Sequence, residues 1–399
     1  MKKRIYLSID LKSFFASVEC VKLKKDPFKT PIIVANTHQG NGAITLAVTP
    51  FLKNQGVKSR CRLYEIPKHI KYTLVYPDME TYKDYSKKIV SIYEEFVDKK
   101  DIHVYSIDEC FLDITNYLSL YKKKPHELAK DILNKIKNDT GLSASCGIGP
   151  SIFLAKVAMD TQGKKSLNNI AYFENHEELN KIKKLSDIWG IGKGLQKKLA
   201  ALKIYTVEDI INSNKDYLEK NLGLVGKKIW NNFHGIYTDT IESLNRAPKE
   251  KSISHSKYLL KDYNAPDTLP LIMQMCEKLE QRLLSENKLF YSINFKMTYN
   301  NLEIALNKTI PTNGFIKTAT EIYNLIKNNL IQKKFIYPIR KIDINLLKLK
   351  EKTNVQLSIF DEDKTSKQND AITQTIFDIK EKYGYSSITK ATNLLDNNK

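Results

Sequence analysis

An α+β fold of several domains is predicted by three observations. The chain has 399 residues, room for two to four domains at roughly one per 100–200 residues. Over its first 160 residues, apolar spacing switches between period two and helical period in a β-α-β-β-α-β-like order. That order suggests an antiparallel sheet packed on one side by helices, a ferredoxin-like unit. Finally, two adjacent acids, Asp108 and Glu109, interrupt a β-branched and aromatic run at 104–114 in which Cys110, Leu112 and Ile114 recur at period two. Successive side chains on a strand face opposite ways, so neighbouring acids can share a ligand only where the chain turns or ends. A hairpin tip is expected there.

The first strand, residues 4–10, places Ile5, Leu7 and Ile9 on one face and delivers Asp10 at its C-terminal tip. Ser13 can cap a helix running to about Leu23, with Phe14, Val18 and Val21 at helical spacing. The adjacent Phe14 and Phe15 cannot both face the core, and Phe14 suits it better. Residues 31–35 and 43–48 are short buried strands across a polar loop, and Gln55-Gly56-Val57 ends a short helix. A long amphipathic helix covers 82–97, the strand pair around Asp108 and Glu109 follows, then a helix at 125–138. A strand at 142–148, a Gly-Pro turn and a helix at 151–159 complete the unit.

Between 181 and 202, Gly190-Ile191-Gly192 has the signature of a hairpin between two helices. Backbone N–H groups at the second helix's start can receive a phosphate there, and Lys193, Lys197 and Lys198 add charge. Leu224-Val225-Gly226-Lys227 is a weaker echo. Residues 246–251 have linker composition. A second α+β unit follows, with strands at 252–259, 293–299, 303–309 and 341–349 and helices at 269–286 and 314–332. In the tail, Gln356-Leu357-Ser358-Ile359-Phe360 precedes a helix striped by Ile372, Ile376, Ile379 and Tyr383.

The net charge is +19, and only six of the 64 basic residues are arginine, so the positive field is mostly lysine point charge. Such a field suits a phosphate backbone. Five widely spaced cysteines without a C-x-x-C argue against a disulfide framework and a zinc site. The apolar run after Met-Lys-Lys-Arg reaches only Ile9, too short for a signal sequence or a span, so a soluble cytoplasmic protein is expected.

Three segments together carry a resemblance: Asp10-Leu-Lys-Ser-Phe-Phe-Ala-Ser-Val-Glu19; Tyr105-Ser-Ile-Asp-Glu109; and Gly147-Ile-Gly149 running into Leu154-Ala-Lys156. In this order they resemble the Y-family (UmuC/DinB-type) translesion DNA polymerases, nearer the UmuC- and UvrX-like branch than the DinB branch. The resemblance spans about 4–360. It implies a right-hand polymerase: a ferredoxin-like palm (1–10 and 78–168), small fingers (11–77), a helix-hairpin-helix thumb (169–245), a linker (246–251), an α+β little finger (252–350) and a tail (351–399).

It further implies low-fidelity, template-directed DNA synthesis in damage tolerance, with primer-template DNA and dNTP as partners. Asp10, Asp108 and Glu109, with the Leu11 carbonyl, match the ligands of two Mg²⁺ ions. Phe15 falls at the steric-gate position beneath the sugar. The N–H groups near Phe14 and Phe15, together with Ser106, match nucleotide contacts, and Lys164 or Lys165 matches a lysine on phosphate. Where DinB-type chains place Tyr and Arg on the triphosphate, this one has Thr49 and Leu52, so Lys53 or Arg60 must supply that contact. Gly190, Gly192, Lys193 and Lys197 would hold DNA. Gln356, Leu357, Ile359 and Phe360 are similar to the peptide that docks bacterial polymerases on the sliding clamp, the DNA polymerase III beta subunit; accessory SOS proteins complete the implied partners. The alternative is a catalytically weak DNA- and clamp-binding factor on a polymerase fold, for which a lost acid would be the sign. All three acids are present.

Overall fold

The computed structural model describes residues 4–246, 251–312, 318–330, 333–351, 364–384 and 387–388. The chain divides into two compact units after Arg246.

In the first unit, β1 (Tyr6–Leu11) and α1 (Phe14–Lys22) precede an insertion of β2 (Ile32–Ala35), β3 (Thr45–Val48), α2 (Pro50–Asn54) and β4 (Thr73–Val75). There follow α3 (Met79–Glu94), the hairpin β5 (Ile102–Val104) and β6 (Glu109–Asp113), α4 (Tyr117–Tyr121), α5 (Pro125–Thr140), β7 (Ala144–Gly149), α6 (Ile152–Ala158) and β8 (Ile170–Tyr172). The main sheet runs β5-β6-β1-β7-β8. Its first four strands are antiparallel neighbours in the ferredoxin-like order, and β8 adds to the edge parallel to β7. The insertion forms its own sheet, β3-β2-β4.

The central strand β1 is buried on both faces, not one. Ile5, Leu7 and Ile9 join the core beneath α3 and α5, with Tyr82, Ile89, Ile132 and Ile136. On the other face, Tyr6 packs with Phe111, Ile152 and Ala155, and Ser8 is also fully buried. Helix α6 therefore covers the side that alternation left polar. Two glycines of β7 permit this: an added Cβ at Gly147 would stand 1.9 Å from the Ala155 carbonyl oxygen, and one at Gly149 2.7 Å from the Ala155 nitrogen. Backbone meets backbone where no side chain fits.

Helices α7 (Lys193–Ala201), α8 (Val207–Ile211), α9 (Lys215–Leu222), α10 (Leu224–Phe233) and α11 (Ile241–Asn245) follow. The first four surround a core of Phe153, Leu199, Leu218 and Phe233. The last returns to the sheet, where Ile241 joins the Tyr6 cluster and Asn245 Nδ2 donates to the Ile102 carbonyl at 2.8 Å.

The second unit contains β9 (Ile253–Tyr263), α12 (Leu269–Ser285), β10 (Lys288–Leu289), β11 (Ser292–Tyr299), β12 (Ile304–Pro311), α13 (Ala319–Leu330), β13 (Ile339–Leu347), β14 (Lys350–Glu351) and α14 (Lys364–Tyr383). Its antiparallel sheet, β12-β11-β13-β9, carries α12 and α13 over a core of Leu279, Phe295, Ile322 and Ile344. On α14, Ile376 and Ile379 are half-buried while Ile372 and Tyr383 are exposed, so only the middle of the expected stripe is covered. Among the described residues no helix is long and apolar enough to cross a membrane.

Candidate active site

Strand pairing places the acids. Asp10, at the end of β1, lies opposite Glu109 on β6 and opposite Ser145 on β7, so the three side chains share one face in one row. Asp108 sits just before, at the tip where the N–H groups of Tyr105 and Ser106 both donate to the Glu109 carbonyl at 3.0 Å. The Leu11 N–H donates to the Asp108 carbonyl at 2.9 Å, tying the tip to β1. This is the turn expected from the sequence, and it brings together residues nearly a hundred positions apart.

Each acid has a different companion. Ser106 Oγ donates to Asp108 Oδ1 at 2.7 Å. Lys164 Nζ lies 3.3 Å from Asp10 Oδ2, and Lys156 Nζ 2.7 Å from Glu109 Oε1. Among the described residues no three His, Cys, Asp or Glu side chains converge as a ready metal cage. Like charges repel, and separate partners hold these carboxylates apart. Burial pushes the Asp10 carboxyl above its ordinary pKa, with Lys164 pulling it back and Asp108 adding to the rise. Glu109 is likewise raised by burial, against Lys156.

The Glu109–Lys156 pair is almost wholly buried, with side chains 8% and 7% exposed. Lys156 Nζ satisfies Glu109 Oε1, whereas buried Ser145 Oγ lacks a partner among the described residues. A buried hydroxyl without a partner is costly unless something else satisfies it, and the carboxylate oxygens in its row are the hard donors a divalent cation takes. Lys156 also contacts Asp160 at 3.1 Å, and Asp160 contacts Lys164 at 2.8 Å. Glu109, Lys156, Asp160, Lys164 and Asp10 thus form one string of alternating charge. The sequence reading gave Lys156 and Asp160 no role, although the spacing 156, 160, 164 is that of one helical face.

This arrangement can be set beside known proteins. The impB/mucB/samB family model matches residues 9–160, and the model of that family's C-terminal domain matches 250–359. UvrX of Bacillus subtilis, a protein named for UV-damage repair, is 30% identical, with 96% of this chain and 92% of UvrX covered. DNA polymerase IV 2 of the same bacterium is 27% identical, with 99% and 95% covered. The chain belongs to the impB/mucB/samB family of UmuC/DinB-type Y-family polymerases. Among solved structures, a Y-family DNA polymerase chimera of Dbh and Dpo4 shares the fold at TM-score 0.70 and 22% identity, covering 89% of this chain and all of the other.

This Y-family chain presents its first helix differently from expectation. Ser13 stands at the cap position of α1 but has left-handed backbone (φ 50°, ψ 45°) and makes no side-chain cap bond. Its neighbour Ser17 instead donates to the Lys12 carbonyl at 2.7 Å. The sharp turn leaves the N–H groups at Phe14 and Phe15 at an open helix start. Phe14 is buried in the core, as expected, whereas Phe15 is half-buried and stacks on Tyr82 at 4.4 Å between ring centres.

In the β3-β2-β4 insertion, Thr49 and Leu52 are structural. Both are fully buried, and Thr49 Oγ1 accepts from the Ile32 N–H at 3.3 Å. Lys53, one residue on, is solvent-accessible overall. Burial around its ammonium lowers its pKa, with Asp10 and Asp108 opposing and Lys164 adding, so it shares the acids' field. Arg60 lines a separate cleft of about 500 Å³ with Lys58, Cys61 and Glu65. Of Lys164 and Lys165, Lys164 contacts Asp10, while Lys165 lines a cleft of about 540 Å³ with Asp187, Trp189 and Gly190.

The glycine hairpin differs from two helices joined by a turn. Gly190 is in the left-handed region (φ +91°) and Gly192 caps α7, but the preceding element is a single 3-10 turn, Leu185–Asp187. Nothing lies within 4 Å of an added Cβ at either glycine, and Lys193 and Lys197 are exposed beside them. A regular helix–turn–helix pair instead joins α9 to α10 through Gly223 (φ +63°), with Gly226 packed against the Leu218 carbonyl. The expected clamp peptide, Gln356 to Phe360, lies outside the described residues.

Proposed function

We propose that this chain is a low-fidelity, template-directed DNA polymerase of translesion synthesis, extending a primer 3′-OH from dNTP with release of pyrophosphate. The observation that carries the reading is the row of Asp10 and Glu109 on neighbouring strands with Asp108 at the adjoining hairpin tip. Family membership, with polymerase relatives matched over nearly their whole length, supports it.

Asp10, Asp108, Glu109 and the Leu11 carbonyl would hold two Mg²⁺ ions, for which hard oxygen donors are suited. Such ions, when bound, stabilise the attacking and leaving oxygens of an in-line displacement. The protein's own share is positioning. Its strand row fixes two acids, Ser106 orients Asp108, and the open N–H groups at Phe14 and Phe15 receive phosphate. Lys164 and Lys53 add positive charge beside them, and Gly190, Gly192, Lys193 and Lys197 take the DNA backbone. Purified full-length protein should extend a primer on damaged and undamaged templates with Mg²⁺; failure on both would overturn the proposal.

Phe15, half-buried and stacked on Tyr82, is proposed as the ring under the sugar that excludes a 2′-OH. Phe15→Ala should raise incorporation of ribonucleotides relative to deoxyribonucleotides by 10-fold or more, on the order expected when a steric clash of ~1.4 kcal/mol or more is lifted. Single-nucleotide insertion kinetics with UTP and dTTP check this, and unchanged sugar discrimination would remove the role.

The tail peptide is proposed to dock on the sliding clamp, with Leu357, Ile359 and Phe360 as apolar anchors and Gln356 as orienting hydrogen-bond partner. Phe360→Ala should lose capture by immobilised clamp while keeping primer extension without clamp.

A further inference from the structure

Four lysines, Lys12, Lys53, Lys156 and Lys164, stand in the field of Asp10. Lys12 is tied to Asn169 Oδ1, and Lys53 makes no ion pair among those seen. Only Lys164 touches the carboxylate, at 3.3 Å, and it also touches Asp160, at 2.8 Å. Its side chain is 39% exposed, so the contact is reached from solvent and can open. Asp160 is held in turn by the buried Lys156. Lys164 thus has one fixed anchor, Asp160, and one labile partner, Asp10.

We propose that Lys164 competes with the metal ion for Asp10, and that an incoming triphosphate admits the metal by drawing Lys164 away. The inference rests on the reading of Asp10 as a metal ligand and goes beyond it. Lys164 and a divalent cation would draw on the same carboxylate charge, so each weakens the other's hold. A triphosphate offers Lys164 a stronger anion while Asp160 keeps its ammonium near. By reciprocity, whatever factor the nucleotide gains from metal, the metal gains from nucleotide. The consequence is a site that is poorly metallated until substrate arrives. Lys156 does not share this part, since its ammonium is enclosed and its partner Glu109 is equally buried.

The test uses Mn²⁺ alone, followed by electron paramagnetic resonance of the free ion against full-length protein without nucleotide or DNA. Lys164→Gln should tighten Mn²⁺ binding by about fivefold, the scale of a partly exposed ion pair. Lys165→Gln, which removes the same charge one residue away without contact to Asp10, should change it by less than about twofold. In parallel, Lys164→Gln should weaken dNTP binding, giving effects of opposite sign on the two ligands. Equal tightening in both variants would reduce the effect to net charge and overturn the competition, as would unchanged or weaker binding in Lys164→Gln. If wild type binds no more Mn²⁺ than Asp10→Asn even with dNTP present, the metal-site reading itself falls, an outcome separate from the first two.

Discussion

Asp108→Ala is expected to lower nucleotide insertion on the order of 10³-fold or more, with primer-template affinity changed by less than about twofold. The asymmetry comes from where Asp108 stands. Its carboxylate belongs to a hairpin tip and its one side-chain partner is Ser106, so no buried neighbour is left unsatisfied by its loss. The backbone bond from the Leu11 N–H to the residue 108 carbonyl survives the substitution, and the tip keeps its place against β1. The exposed lysines and glycine hairpin assigned to DNA lie on α7 and the segment before it, not on the palm strands. Insertion should therefore fail while binding persists. Rapid-quench insertion assays beside fluorescence-anisotropy titration of the same DNA separate the two; loss of both in equal measure would mean the tip had collapsed.

Glu109→Gln provides a useful contrast. Removing its charge leaves Lys156 buried against a neutral amide, with Asp160 as its only acid, so part of the loss would be structural. Asp108 is for that reason the cleaner probe of chemistry.

The acids were legible in the sequence because the two features that place them are local. A strand ending in Asp10 and a strand broken by adjacent acids each follow from period-two spacing. Their pairing follows once the strand order is ferredoxin-like. What the alternation of 4–10 did not reveal is that α6 covers the second face of β1, because neither the small polar Ser8 nor the side-chain-less Gly147 and Gly149 signals a buried surface. With that face hidden, Lys156 and Asp160 had no visible partner. The Ser13 cap failed for a different reason: a serine before a helical run favours capping, but the chain must turn sharply out of the central strand, and left-handed backbone at Ser13 accomplishes that instead. Thr49 and Leu52 were recognisable as departures, and their burial explains why they cannot meet a nucleotide.

Gly147→Ala should destabilise the first unit by at least ~2 kcal/mol and depress insertion as well. The added methyl would stand 1.9 Å from the Ala155 carbonyl oxygen and 2.4 Å from the Met159 nitrogen, both backbone atoms of the covering helix and the turn that continues it. Neither can rotate away as a flexible side chain could, so the helix must lift. Lys156 rides on that helix and Asp160 on the turn that follows, and a shift of either opens the 2.7 Å contact to Glu109 and the string of charges ending at Asp10. Stability and activity are coupled here through one backbone contact. Gly194→Ala is the matching control: it lies in the first turn of α7 with nothing within 4 Å of its Cβ, so it should be neutral or stabilise by up to ~1 kcal/mol. Urea unfolding of the two variants, each followed by primer extension well below its transition, distinguishes a local helix displacement from general unfolding. A folded Gly147→Ala protein with full activity would show that the helix can move without disturbing the acids.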